Sequence, residues 1–167
     1  MNAMPEIVVV AHNIRSTHNV GAIFRTSEGF GVTRIILSGY TPYLQIDNDP
    51  RLPHIREKLS AQIHKTALGA EIIVPFEYQE VPDISHLKAS GYTIVGLEQD
   101  SRSHMLPAYS SPDKCVLILG EEVHGMTQEL IEECDDLIEI PMQGKKESFN
   151  VSVAAGIALY HLYYHSA

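Results

Sequence analysis

The residues best suited to chemistry in this chain sit in two stretches, 13–31 and 138–160. In the second, a short run at 137–140 is halted at Pro141, which cannot donate to a ladder, and passes through Met142, Gln143 and Gly144 into Lys145 and Lys146. Ser148 and Asn150 are both good N-cap residues ahead of an apolar run from Val151 to Leu162. Backbone donors and two lysines feeding the positive end of a buried helix could hold a polar or anionic ligand, although an ordinary strand–loop–helix connection has the same pattern. In the first stretch, NIRSTHNVGAIFRTSEGFG, Asn19 can cap a helix whose apolar face is Val20, Ile23, Phe24 and Ser27. Gly29 and Gly31 close it. Gly21 costs about 1 kcal/mol relative to Ala, so something is expected to approach the backbone there. Arg25 lies one turn further on, near the same face.

The other polar pairs are weaker candidates. His161 and His165 have the i, i+4 spacing of a two-histidine metal pair, but the sequence places no third ligand, and no metal is expected. Glu121 and Glu122 could do acid–base work, yet consecutive residues at a strand end point apart. Cys115 lies in an apolar run and Cys134 in an acidic one, and neither they nor any serine sits in a nucleophile-elbow context. Arginine, asparagine, serine, one or two glutamates and backbone amides remain. Positioning groups without a covalent nucleophile suit transfer from a donor that brings its own leaving group.

These groups need a frame. Residues 6–11, EIVVVA, form an unbroken apolar run typical of a strand covered on both faces. Further strands are predicted at 34–37, 72–74, 92–97, 115–119 and 136–140, with helices after Asn19, over 56–67, from Asp83 to Ser90, after Thr127 and after Asn150. The segment 38–55, with three prolines, is expected to be mobile or ligand-responsive. Strands alternating with helices imply an α/β domain with a parallel sheet, whose ligands sit at the carboxyl ends of the strands. Those ends carry Asn13, Arg15 and Asn19, then Glu98, Gln99 and Asp100, then residues 120–125 and 141–150, as one candidate site. No GxGxxG and no phosphate-binding glycine loop is present, which disfavours a Rossmann dinucleotide or a nucleoside triphosphate.

With 167 residues, a single domain over 1–167 is expected. No apolar run approaches the roughly 20 residues of a membrane span, and the N-terminus lacks a basic n-region, so a cytoplasmic location is expected. The net charge of −9 argues against a nucleic-acid partner until its distribution is counted. Residues 1–66 carry seven Lys or Arg against five Asp or Glu; residues 67–167 carry five against sixteen. A mildly basic face on an acidic body is one reading, and a solvated surface without a partner is the other.

Three stretches stand in order: N-x-R-x-x-x-N-x-G-A-x-x-R-T with a following F-G (13–31), L-G-x-E-x-x-G with I-P-M after it (119–142), and S-F-N-V-S-V-A-A-G-I (148–157). Together they resemble the motifs of SpoU/TrmH-like RNA 2′-O-ribose methyltransferases of the SPOUT superfamily. The resemblance implies a parallel-sheet α/β fold with a C-terminal deep trefoil knot, an exception to the general absence of knots. It implies S-adenosylmethionine-dependent 2′-O-ribose methylation of tRNA or rRNA. A knotted RNA base methyltransferase and a non-catalytic RNA-binding member of the fold are the alternatives. It places the cofactor S-adenosylmethionine near Leu97, Glu98, Gly120, Ile140, Met142 and Phe149, and active-site roles at Asn19, Arg25, Glu122, Ser148 and Asn150. It also implies a homodimer built from the helices after Asn19 and after Asn150. No added N-terminal RNA-recognition domain is expected in this chain. Two positions depart from the family pattern. Glu121 stands where the family often has Asn, adding negative charge beside an RNA site, and Phe149 stands where it usually has Leu, a conservative apolar swap. Replacing Gly120 by Val is expected to abolish cofactor binding and leave the fold largely intact.

Overall fold

The unbroken apolar run near the N-terminus becomes the strand Glu6–His12 (β1), and its alternating residues feed two cores. In the computed structural model, which describes residues 4–166, the chain continues through α1 (Thr17–Gly29), β2 (Arg34–Ser38), α2 (Pro53–Ala67), α3 (Ala70–Ile73) and β3 (Phe76–Gln79). Then follow α4 (Ile84–Ala89), β4 (Thr93–Leu97), β5 (His104–Met105), a 3-10 turn at Leu106–Ala108, β6 (Lys114–Leu119), α5 (Gln128–Glu133), β7 (Asp136–Glu139) and α6 (Val151–Tyr164). The seven strands form one sheet in the order β3-β2-β1-β6-β4-β7-β5, and every pairing is parallel. Ile7, Val9 and Ala11 face α1, α2 and α6, whereas Val8 and Val10 face α4 and α5. Burial on both faces explains why the central strands read as continuous apolar runs. No helix among the described residues is long and apolar enough to cross a membrane.

Several local expectations are corrected. The run 72–74 is not a strand: Gly69 takes φ +101, Glu71 accepts from its N–H at 2.8 Å, and the chain turns into α3. Ile72 and Ile73 are left 84% and 66% exposed, so their hydrophobicity marks no core. The edge strand is the following Phe76–Gln79, paired with β2. Helix α2 starts three residues before the expected Arg56, with Pro53 in its first turn, where a missing N–H costs nothing. Segment 38–55, expected to be mobile or ligand-responsive, carries specific ties to the rest of the fold. Thr41 Oγ1 donates to the Ala11 carbonyl and accepts from Ile14 N, both at 2.9 Å, and Arg51 bonds the Tyr43 and Leu44 carbonyls at 2.9 and 3.0 Å.

The neighbour at Gly21 is protein. A Cβ there would lie 2.3 Å from the Ile63 carbonyl oxygen and 2.0 Å from Thr66 Oγ1, so α2 is what approaches the backbone of α1. Arg25, one turn further along α1 on the same side, is exposed where Gly21 is buried.

The sheet order has one unusual consequence. Leu97 at the end of β4 and His104 at the start of β5 both register with Ile138 on the intervening β7. Residues 98–103 therefore carry the chain from one side of β7 to the other, beside the point where residues 141–150 leave the sheet.

Candidate active site

The carboxyl ends of β4, β6 and β7 surround a cavity of ≈ 280 Å³ closed by the first turn of α6. Leu97, Glu98, Gly120, Ile140, Met142 and Phe149 all line it. Residues 98, 99, 120–125 and parts of 141–150 meet there, as the strand-end rule predicts, but Asp100 turns away and pairs with Arg102 at 2.9 Å. Leu119, Val151 and Ala154 add an apolar wall that motif reasoning missed. Its signal was present, because Val151 and Ala154 are one turn apart on the helix face that follows the loop.

Asn19, Glu122 and Asn150 form one hydrogen-bonded chain at the rim. Asn19 Nδ2 donates to Glu122 Oε1 at 3.1 Å, and Asn150 Nδ2 donates to Asn19 Oδ1 at 3.2 Å. This arrangement depends on a correction to the predicted cap. Ser16, not Asn19, caps α1, its Oγ accepting from Asn19 N at 3.2 Å, so the Asn19 side chain is free to reach Glu122. Asn150 does cap α6, its Oδ1 accepting from Ser152 N at 3.0 Å and Val153 N at 3.4 Å. Ser148 and Glu122 line the cavity. Arg25 does not; it is exposed on α1.

The loop after β6 is held by Glu98, whose Oε2 accepts from Met126 N at 2.8 Å. Gly125 lies at φ +71, and a Cβ there would fall 2.3 Å from that same oxygen. Gly120 is also packed against protein: its Cβ would lie 2.7 Å from Met126 N and 2.7 Å from Met126 Cγ. Valine at 120 would thus push into the Gly125–Met126 backbone, so, contrary to expectation, the fold does not tolerate it.

Glu121 and Glu122, expected to point apart, both line the cavity and both lie near Arg15, with different partners. Glu121 is 7% exposed, accepts from His124 N at 2.7 Å through Oε2, and leaves Oε1 without a hydrogen bond. The nearest cation to that oxygen is Arg15, with Nε at 3.6 Å. Tyr40 foremost, then the neighbouring carboxylates, raise the Arg15 pKa above its ordinary value. Five glutamates, at 98, 121, 122, 139 and 147, line the cavity, which therefore favours a cationic ligand and repels phosphate. At the far end of α6, His161 Nε2 bonds the Tyr109 carbonyl at 2.7 Å and its ring stacks on His165 at 4.4 Å.

The site thus combines apolar walls, backbone groups and acidic side chains with an ordered carboxylate–amide rim. Such a constellation can bind and orient a cationic ligand and hold a second reactant's hydroxyl near Glu122.

The sequence profile of the SpoU rRNA Methylase family matches residues 50–160. The chain is 32% identical to a tRNA (guanosine(18)-2′-O)-methyltransferase of Aquifex aeolicus, over 93% of this chain and 67% of that one. It is 33% identical to the 23S rRNA (guanosine-2′-O-)-methyltransferase RlmB of Nitrosomonas europaea, over 95% of this chain and 56% of that one. Many of these relatives are longer: the chain spans a little over half of the RlmB protein and 9% of the mouse tRNA (guanosine(18)-2′-O)-methyltransferase TARBP1. The crystal structure of an AdoMet-bound rRNA methyltransferase from Sinorhizobium meliloti superposes with a TM-score of 0.79 at 26% identity, over 96% of this chain and 56% of that one. The Aquifex aeolicus TrmH/SpoU tRNA modifying enzyme gives 0.77 at 27% identity, over 95% and 74%.

Proposed function

The chain belongs to the SpoU rRNA methylase family, and from that premise we propose that it transfers a methyl group from S-adenosylmethionine to a ribose 2′-hydroxyl of tRNA or rRNA. The observation that carries this reading is the rim chain Asn150–Asn19–Glu122, which brings residues of all three motifs to one cavity. The acidic lining and apolar walls fit a ligand bearing a sulfonium and an ammonium, with Leu97, Gly120, Ile140, Met142 and Phe149 beside it. When bound, S-adenosylmethionine supplies an electrophilic methyl group together with its leaving group. The protein must then position a poor nucleophile and manage its proton.

Asn19 and Asn150 fix the Glu122 carboxylate, and Ser148 stands on the cavity wall as a donor or acceptor for the incoming ribose. The planar fork of the Arg25 guanidinium suits a bidentate grip on the phosphate next to that ribose, with the hydroxyl proton leaving to the phosphate or to water. Its exposed position on α1 fits the further proposal of a homodimer through α1 and α6, in which Arg25 would face a partner's cavity. The surface for such a dimer exists, since Val153, Tyr160 and Tyr164 on α6 are 50%, 55% and 62% exposed. A single 18.6 kDa species in sedimentation at micromolar concentration would remove the dimer.

The trefoil knot belongs to the same reading. It is supported by the 98–103 crossing and by the hydrogen bond from Gln99 Nε2 to the Glu147 carbonyl, which fastens that crossing to the segment leaving β7. An experimental structure with residues 141–150 passing outside the crossing would exclude it. Residues 4–166 act as one domain in this account, supported by two cores that share one sheet. Reduced Cys115 and Cys134 fit a cytoplasmic setting, which fractionation would check. The direct test of function is incubation with labelled S-adenosylmethionine and RNA from cells lacking the protein, followed by nucleoside analysis. A methylated base, or no transfer, would favour one of the alternatives.

A further inference from the structure

A second groove, of ≈ 550 Å³, adjoins the cavity and has no part in the reading so far. Arg15, Tyr40, Tyr43, Arg51 and Tyr78 dominate its lining. Tyr40 is 53% exposed although its backbone is anchored. Its N–H donates to Asn13 Oδ1 at 3.1 Å, and Asn13 itself takes a left-handed φ of +57. Gly39 before it lies at φ +64, where a Cβ would meet the same Asn13 oxygen at 1.9 Å. The Asn13–Gly39 contact thus fixes where the Tyr40 ring emerges. The groove also has a rigid floor: Tyr43 and Tyr78 stack at 4.0 Å, and the Arg51 guanidinium lies 3.5 Å from the Tyr43 ring centroid.

Arg15 marks the boundary between groove and cavity. Its guanidinium is 5.9 Å from the Tyr40 ring centroid and its Nε is 3.6 Å from Glu121, while its backbone N–H reaches Glu122 Oε2 at 3.4 Å. Two-thirds of the Arg15 side chain is exposed, at 66%. An exposed ring beside an exposed guanidinium offers a stacking face and a phosphate fork in one place. The glutamate-lined cavity repels phosphate, so an RNA strand with one ribose at Glu122 must run its backbone along the rim, where Arg15 stands.

Resting on the methyl-transfer reading above, we infer that the groove seats the nucleotide next to the methylated one, its base stacked on Tyr40 and its phosphate paired with Arg15. Stacking on a ring tolerates any base, so this seat contributes affinity and register without reading sequence.

The test uses anisotropy with a short fluorescein-labelled single-stranded RNA of mixed sequence, in parallel with calorimetry of S-adenosylmethionine binding. Tyr40→Ala weakens RNA binding roughly tenfold and Tyr40→Phe leaves it near wild type, because the stacking face is kept. Arg15→Ala lowers the slope of log affinity against log salt by about one, and Arg15→Lys retains most of it. Both Tyr40 variants and Arg15→Lys, which keeps the charge beside Glu121, retain cofactor affinity and thermal midpoint. RNA affinity within about twofold of wild type for both alanine variants would overturn the assignment, even if the wild type methylates RNA. An equal loss of cofactor affinity would overturn it too, by showing general damage to the site. Absence of ribose methylation by the wild type would overturn the underlying reading and this seat with it.

Discussion

Asn19 Oδ1 accepts a hydrogen bond from Asn150 Nδ2 at 3.2 Å, joining the first helix to the last across 131 residues of chain. Asn150 serves two purposes, since its Oδ1 also caps α6. Asn150→Ala is therefore predicted to lower stability by about 1 kcal/mol, as for lost caps generally, and to cut methyl transfer as well. Asn150→Asp separates the two effects. It keeps the cap but loses the donor to Asn19, so the thermal midpoint recovers while the single-turnover rate stays low. Recovery of both would show that the Asn19 contact has no role in transfer.

Arg25→Ala is predicted to leave S-adenosylmethionine binding intact and to lose roughly 10²-fold or more in methyl transfer. Arg25→Lys keeps the charge without the planar fork and should fall between. Activity of the alanine variant within about threefold of wild type, under single-turnover conditions, would return Arg25 to the solvated surface.

For the cofactor cavity, Phe149→Ala is the cleaner probe. Phe149 is 40% exposed, so truncation spares the core yet removes part of the wall. Calorimetry should show weaker S-adenosylmethionine binding with an unchanged thermal midpoint. Gly120→Val should instead lose binding and stability together, because its side chain strikes Met126 N. Unchanged affinity in the Phe149 variant would remove that wall from the site.

Burial lowers the pKa of His12, which also shares a 2.9 Å hydrogen bond between Nδ1 and Ser38 Oγ. A depressed folded-state pKa means that the unfolded chain binds the proton more tightly. The stability this residue confers is full above its unfolded pKa of about 6.5 and declines as pH falls through the lower folded value. His12→Gln should flatten that part of the acid limb in denaturation followed from neutral pH downward. An acid limb identical to wild type would assign the loss to other groups.

The central strands were legible because burial on two faces writes itself as unbroken apolar runs in β1, β2, β4 and β6. The edge strand β3, with all four residues half-buried, carries no such signature, and the nearby exposed Ile72 and Ile73 imitated one. Two-residue β5 is too short and too exposed to leave a pattern. The general site location followed from the strand-end rule, but the links within it did not. Glu122 meets Asn19 across 103 residues, a relation set by sheet order, which local periodicity cannot encode. The side-chain task of Asn19 was hidden by its suitability as a cap, a role that Ser16 takes. The stack of Tyr43, Tyr78 and Arg51 likewise brings distant residues together, and so 38–55 looked loose in sequence.

The central claim is ribose methylation, and alkali tests it most directly. Alkaline cleavage of RNA uses the 2′-hydroxyl as the nucleophile, so a methyl group on that oxygen protects the adjoining phosphodiester. RNA from cells lacking the protein would be labelled by the purified wild type from methyl-labelled S-adenosylmethionine and then hydrolysed fully in alkali. The label is predicted to migrate with alkali-resistant dinucleotides. Label found in mononucleotides would place the methyl group on a base and contradict the account.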